Sequence, residues 1–317
     1  MKIIKLNFVD FWPGFERTDN YIYNLLSKHY RLTISEEPQF LFYSCYGNEY
    51  LRYDCVRVFY SAENIRPDYT GCDFSMSFDF IDNPSHFRLP LYVFYIDQRK
   101  KWDELLSRKT RDEALAAWRE KRKFCCMVVS NGLAKKRINF FNALSKFKHV
   151  DSGGRYLNNV GGPVKNKLAF IKEYKFVIAF ENSSYPGYTT EKLLDPLLVG
   201  SIPVYWGNPL VEMDFNTKRF LNYNDYSSEK ALIDRILSID DREEHAISIL
   251  TEPIFPDNTL PEFIKETNVL GFLQNIIGNL DTLIPAAKRP VRYRHAYRRK
   301  MRVIRFYLNK VLKRNFR

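Results

Sequence analysis

Disulfide frames, metal-type cysteine spacing and long apolar runs are all missing from this chain. Its five cysteines, Cys45, Cys55, Cys72, Cys125 and Cys126, are odd in number and show neither C-x-x-C nor Cys/His ligand spacing. That pattern argues against a disulfide scaffold and a structural zinc site, and a reducing compartment is expected. Cys125 and Cys126 adjoin inside an apolar run, which predicts a buried strand. No stretch reaches the roughly 18–20 apolar residues that a membrane-spanning helix needs. Residues 1–4 lead straight into a strand-like run without the apolar core of a signal peptide, so a cytosolic location is expected. Repeats and low-complexity linkers are absent. The five histidines offer little chemistry: His29, His149, His245 and His295 read as surface residues, and His86, close to Glu63 in sequence, as structural, with a role at the acceptor site as the alternative.

What is present is apolar and aromatic. With 317 residues and 45% hydrophobic content, the chain has material for two cores. Aromatic residues reach 16%, with 21 Tyr and 25 Phe, a content that suits cores and also stacking on sugar rings or bases.

The net charge of +12 is unevenly placed. Residues 288–317 hold thirteen Lys/Arg and no Asp or Glu, leaving 36 basic against 37 acidic residues in the body. Within that tail Tyr297, Met301, Ile304, Leu308 and Val311 recur at helical spacing, and Arg298, Arg299, Arg302, Arg305, Lys313 and Arg314 fall mostly elsewhere. A basic amphipathic helix with aromatics has the composition of an anchor on an anionic membrane surface. A helix packed on the body with solvated charges is the alternative. Nucleic acid is not expected as a partner, because no RNP-like or GXXG element accompanies the charge.

Strand-like runs at 2–8, 31–35, 39–44, 56–61 and 74–80, with a helix at 20–29, open the chain, and a charged helix-like stretch covers 102–123. A second alternation follows: strands at 124–129, 175–180 and 202–206, helices at 132–147, 167–174 and 189–199, then mostly helix from 227 to 279. Alternation of this kind predicts α/β architecture with parallel, doubly wound sheets, whose ligands sit at the carboxyl ends of strands.

The segment FVIAFENSSYPGYTTEKLLDPLLVGSIPVYWGNP, residues 176–209, carries the most chemistry. A strand ends at Phe180-Glu181-Asn182, a turn follows, and a helix opens near Thr189, the expected N-cap. A helix N-terminus after a strand-end turn is a diphosphate cradle. Glu191 there suits sugar or ribose hydroxyls and Lys192 suits phosphate, although both fit a solvated first turn equally well.

The same segment resembles the donor-binding motif of the bacterial α1,3-fucosyltransferases, glycosyltransferase family 10. Residues 180–183 fit F-E-N-S, residues 187–192 fit G-Y-x-T-E-K, and residues 202–209 fit I-P-(I/V)-Y-W-G-x-P. Val128-Val129-Ser130-Asn131, with Arg137 and Phe140, resembles the family's V-x-S-N…R-x-x-F block. Residues 59–68, FYSAENIRPD, resemble its F-x-(T/S)-G-E-N-x-x-P-D block, with Ala62 in place of the usual Gly, so that this turn must avoid positive φ. Pro196 inside the expected helix implies a kink or an early end.

The resemblance implies a GT-B fold: two Rossmann-like domains facing a cleft, at 1–123 (acceptor side) and 124–275 (donor side), with a helical C-terminal region at 276–317. It implies an inverting transfer of fucose from GDP-fucose to the 3-hydroxyl, or the 3- or 4-hydroxyl, of an N-acetyllactosamine-like acceptor in lipopolysaccharide or surface polysaccharide, on the cytoplasmic face of the inner membrane. Glu63 is the implied general base. Arg137, Asn182, Tyr188 and Lys192 are implied near the pyrophosphate, and Glu191 near donor hydroxyls. No D-x-D element occurs, and two cationic side chains suffice to neutralise the leaving diphosphate, so no essential metal or other cofactor is expected. The alternatives are transfer from another nucleotide sugar, or a non-catalytic, membrane-associated glycan binder.

Overall fold

Strands buried on both faces are found where helices cover both sides of a parallel sheet, and Phe40–Tyr43, Val56–Tyr60 and Phe74–Ser77 are buried at every position. The computed structural model describes residues 1–289 together with Tyr297 and Met301. Its chain forms two compact units, one comprising Met1–Ser77, Ile81–Leu89 and the segment from Lys265, the other Phe78–Phe80 and Pro90–Ile264.

The first unit contains β1 (Ile3–Val9), α1 (Tyr21–Ser27), β2 (Arg31–Ile34), β3 (Phe40–Tyr43), β4 (Val56–Tyr60), β5 (Phe74–Ser77) and β6 (His86–Arg88). These strands form one parallel sheet in the order β2-β1-β3-β4-β5-β6. Chain order reverses at β1, so the loops after β1 and β3 flank the switch point of this sheet.

The second unit begins with α2 (Leu91–Arg99), α3 (Trp102–Leu105) and α4 (Arg111–Glu120). It continues through β7 (Lys123–Met127), α5 (Lys135–Ser145), β8 (Val150–Ser152), α6 (Lys167–Lys172), β9 (Tyr174–Phe180), α7 (Glu191–Leu198) and β10 (Ile202–Trp206). It closes with β11 (Leu221–Asn222), α8 (Glu229–Asp241) and α9 (Glu243–Leu250). Its sheet is parallel in the order β11-β10-β9-β7-β8. Here the order reverses at β7, which places the loops after β7 and β9 at the switch point. One face packs Met127, Phe140, Phe176, Ile178, Phe180 and Val204 against α8 and α9, and Phe140 stacks on Phe180 at 5.0 Å. Each such ring contributes about 1.5–3 kcal/mol through burial, and this pair fixes the end of β9 from which the site is built.

The observed division differs from a boundary at 123. Residues 90–123 join the second unit, where α4 buries Ala114 and Trp118 in the core shared with Phe176, α8 and α9, and the exposed pairs Arg111–Glu244 and Arg119–Glu243, both at 2.6 Å, line the same contact. The last described helix, α10 (Glu266–Gly278), returns to the first unit. There Lys28 pairs with Glu266 at 2.7 Å, and Phe272 lies edge-on to Phe74 at 6.0 Å.

Cys125 and Cys126 lie buried in β7 as expected, and all five thiols are free. No described helix is long and apolar enough to cross a membrane. The tail helix expected within 288–317 lies outside the described residues, apart from Lys288, Arg289, Tyr297 and Met301. Arg289 is bound to the body, donating to the buried Asp73 carboxylate at 2.9 Å.

Candidate active site

The loop after β9 is short and crowded. Gly187 has φ +83°, and a Cβ there would lie 2.2 Å from the Phe78 carbonyl oxygen, so this turn requires glycine. Its N–H donates to Asn208 Oδ1 at 2.6 Å. The Asn208 amide donates to Thr189 Oγ1 and to Asp214 Oδ2, both at 3.0 Å. Thr189 is therefore part of a buried polar network and is not the helix cap. The cap of α7 is Thr190, one residue later, whose side chain accepts from the Lys192 N–H. Sequence offered two adjacent threonines, and the Asp214 carboxylate, 2.7 Å from Thr189 Oγ1, claims the first. Helix α7 runs through Pro196 and ends at Leu198, two residues beyond the proline.

Arg137 comes from the first turn of α5 and is 1% exposed. Its guanidinium forks across the end of β9: Nε donates to Phe180 O at 2.9 Å and Nη2 to Asn182 Oδ1 at 2.8 Å. Burial lowers its pKa, an effect opposed by Glu181 and Glu191. Tyr188 is 2% exposed and packs edge-on against Phe78 at 5.0 Å.

Glu191 and Lys192 are not solvated first-turn charges. Their side chains are 20% and 18% exposed, and Lys192 Nζ stands 3.4 Å from Glu191 Oε1 and 3.2 Å from Glu181 Oε2. Burial works against a charged Glu191, yet Lys192, Lys167 and Thr190 hold its carboxyl down at about 2. Burial likewise opposes the Lys192 ammonium, but the carboxylates of Glu181 and Glu191 raise its pKa well above the ordinary lysine range. Behind them the buried Asp195 is 2.7 Å from both Arg99 and Lys167. Arg137, Asn182, Tyr188, Glu191 and Lys192 are thus brought together, with two fixed cations at the carboxyl end of the second sheet. Glu181, fully buried and bonded to Thr190, belongs to the same cluster, although its residue type alone did not mark it in the sequence. Its place in the F-E-N-S block was the one available signal.

In the first unit, Glu63 follows the carboxyl end of β4. Tyr46, in the loop after β3, donates its hydroxyl to Glu63 Oε1 at 3.0 Å. Ser61 Oγ and the Ile65 N–H both donate to the Glu63 carbonyl at 2.6 Å, which fixes the turn. Ala62 is absent from the positive-φ residues, so alanine fits where the family pattern has glycine. Asp10, at φ +59°, accepts from the Glu49 and Tyr50 N–H groups at 3.0 and 2.9 Å and shapes the neighbouring loop. Neither Tyr46 nor Asp10 stood out in the sequence. His86 lies in β6 with Nδ1 2.8 Å from Ser75 Oγ, a structural placement. Phe11, Trp12 and Phe15 cluster with Tyr60, Phe11 lying nearly parallel to Tyr60 at 6.1 Å.

Two units with wholly parallel sheets, the second carrying clustered cations at its switch point, form a GT-B-type fold, an architecture of glycosyltransferases. Comparison with known proteins agrees. The N-terminal domain profile of alpha-(1,3)-fucosyltransferase FucT matches residues 6–95, which include Glu63. The C-terminal profile of glycosyltransferase family 10 (fucosyltransferase) matches residues 118–248, which include Arg137 to Lys192. The chain belongs to glycosyltransferase family 10, the fucosyltransferases.

Among relatives, the alpha-(1,3)-fucosyltransferase FucT of Helicobacter pylori is 30% identical over 315 residues, covering 86% of this chain and 65% of that protein. The human 4-galactosyl-N-acetylglucosaminide 3-alpha-L-fucosyltransferase 9 is 33% identical over 127 residues, covering 38% of this chain and 34% of that one. The chain therefore spans just under two thirds of the bacterial relative and about a third of the human one. A crystal structure of an alpha1,3-fucosyltransferase with GDP-fucose superposes with a TM-score of 0.76 at 27% identity, covering 90% of this chain and 93% of that one.

Proposed function

We propose that this protein is an inverting α1,3-fucosyltransferase that transfers fucose from GDP-fucose to an N-acetyllactosamine-like glycan. The carrying observation is the pair of buried Arg137, bonded to Asn182, and half-buried Lys192, charge-compensated by Glu181 and Glu191 beside Tyr188. The solved relative bound to GDP-fucose supports that donor, and the human relative, a 4-galactosyl-N-acetylglucosaminide fucosyltransferase by name, supports an N-acetylglucosamine-containing acceptor.

In the reaction, Glu63 takes the proton of the acceptor hydroxyl as that oxygen bonds to the anomeric carbon of fucose. The bond from that carbon to the diphosphate oxygen breaks, and its electron pair leaves with GDP. General-base assistance of this kind contributes typically about 10²–10⁴-fold. Arg137 and Lys192 face the negative charge that develops on the leaving diphosphate, as fixed charges in a water-poor site, where they act more strongly than in water. Glu191 contacts donor hydroxyls. Two cations in place of a divalent ion make the transfer metal-independent. The tail beyond residue 289 attaches the enzyme to the anionic cytoplasmic face of a membrane, where lipopolysaccharide or surface-polysaccharide acceptors are assembled.

The test is GDP release from the purified protein with GDP-fucose, GDP-mannose or a UDP-sugar, with and without N-acetyllactosamine, in EDTA. Turnover with GDP-fucose that rises with acceptor and falls at least ~100-fold in Glu63→Ala is expected. Acceptor-independent release, or a Glu63→Ala variant at full rate, would overturn the reading.

A further inference from the structure

One buried charge at the donor site has no task in this mechanism. Glu181, directly after β9, is fully buried. Its Oε1 accepts from the Thr190 N–H at 2.8 Å, Thr190 Oγ1 lies 2.9 and 2.8 Å from its two carboxylate oxygens, and Lys192 Nζ is 3.2 Å from Oε2. The opposite side is closed by Gly207, where a Cβ would come within 2.4 Å of Glu181 Cγ. The side chain therefore has one place to be, and that place is against the ammonium of Lys192.

We infer that Glu181 is the positioning residue of the donor site, fixing the Lys192 ammonium in place and in charge for the diphosphate. The inference rests on the proposed role of Lys192. Lysine carries its charge on a flexible four-carbon stem and loses it readily when buried. Arg137 needs no such support, because its planar fork is held by Phe180 O and Asn182 Oδ1. Lys192 has Thr190 Oγ1 at 3.1 Å and two carboxylates, of which Glu191 is the one assigned to donor hydroxyls. When the donor engages Glu191, Glu181 is the anion that continues to hold the lysine. Burial raises the Glu181 pKa and Lys192 opposes the rise, so each charge sustains the other.

Glu181 also accepts from Thr190, the cap of α7, so the test must separate positioning from support of that helix. Glu181→Gln keeps the volume and an oxygen for Thr190 while removing the charge. Glu181→Asp keeps the charge. For wild type, Glu181→Gln, Glu181→Asp, Lys192→Ala and the Glu181→Gln/Lys192→Ala double variant, kcat/KM for GDP-fucose and GDP affinity by calorimetry are measured from pH 6 to 10. Glu181→Gln is expected to lose about tenfold in GDP affinity, in the range of a charge-assisted contact, and to lose activity at lower pH than wild type. That direction follows because removing a carboxylate lowers the Lys192 pKa. Glu181→Asp restores the alkaline limb, and in the Lys192→Ala background Glu181→Gln changes affinity by less than about twofold. A pH-independent loss that adds in full to that of Lys192→Ala would overturn the inference and leave a helix-supporting role. Lys192→Ala binding GDP like wild type would instead overturn the donor-site reading itself.

Discussion

Replacing Arg137 by lysine keeps the charge at the donor site and removes the fork, which separates two contributions. The guanidinium, 1% exposed, makes two bonds with one planar group, to Phe180 O at 2.9 Å and Asn182 Oδ1 at 2.8 Å. A lysine ammonium on a shorter, unbranched end meets one of these acceptors well and leaves the other buried without its donor. An unpaired buried acceptor costs about 1–3 kcal/mol. For a unit of roughly 150–250 residues each kcal/mol corresponds to about 2–4 °C in Tm, so Arg137→Lys should melt about 2–12 °C lower. A second effect concerns pH. Burial opposes the charge at this position, and a lysine there deprotonates where arginine does not. The variant's GDP affinity should accordingly fall as pH rises from 7 to 9, with the wild-type curve flatter over the same range. Differential scanning fluorimetry reads the first effect and calorimetric titration with GDP the second. An unchanged Tm together with a wild-type pH dependence of GDP affinity would show that charge alone is all that Arg137 supplies.

Two further outcomes are expected. Gly187→Ala should destabilise the second unit by about 1–3 kcal/mol, because a Cβ at φ +83° would sit 2.2 Å from Phe78 O; a wild-type melting curve would show that the turn relaxes freely. Deleting residues 290–317 should abolish sedimentation with anionic phosphatidylserine vesicles while sparing turnover on soluble acceptor. Undiminished sedimentation would locate the membrane contact elsewhere, and the cut spares Arg289 because its bond to Asp73 belongs to the folded body.

Helix α2 shows why part of the fold was not legible. Leu91, Tyr92, Val93, Phe94 and Ile96 are all buried, so the helix presents no polar stripe and its sequence lacks the 3.6-residue contrast that marks a surface helix. The short strands β6, β8 and β11 are three, three and two residues long, below the length at which alternation can be read. The longer strands β9 and β10 stood out because parallel strands buried on both faces appear as nearly continuous apolar runs, and β1 and β4 stood out as apolar runs interrupted by Lys5, Asn7 and Arg57.

The α/β alternation, the turn at 182–190 and the residue types around it were readable from the chain alone, because strand runs, turn residues and a helix start are local properties. Linked blocks also carried Glu63, Arg137, Asn182, Tyr188, Glu191 and Lys192 as candidates. Tertiary structure decided what those charges touch. Lys192 meets Glu181, eleven positions earlier, because α7 turns back across the end of β9, and Thr190 rather than Thr189 caps that helix because Asp214 reaches the first threonine. The return of α10 to the first unit and the capture of Arg289 by Asp73 are long-range pairings. Such contacts join residues distant along the chain, so packing selects them and no local pattern announces them.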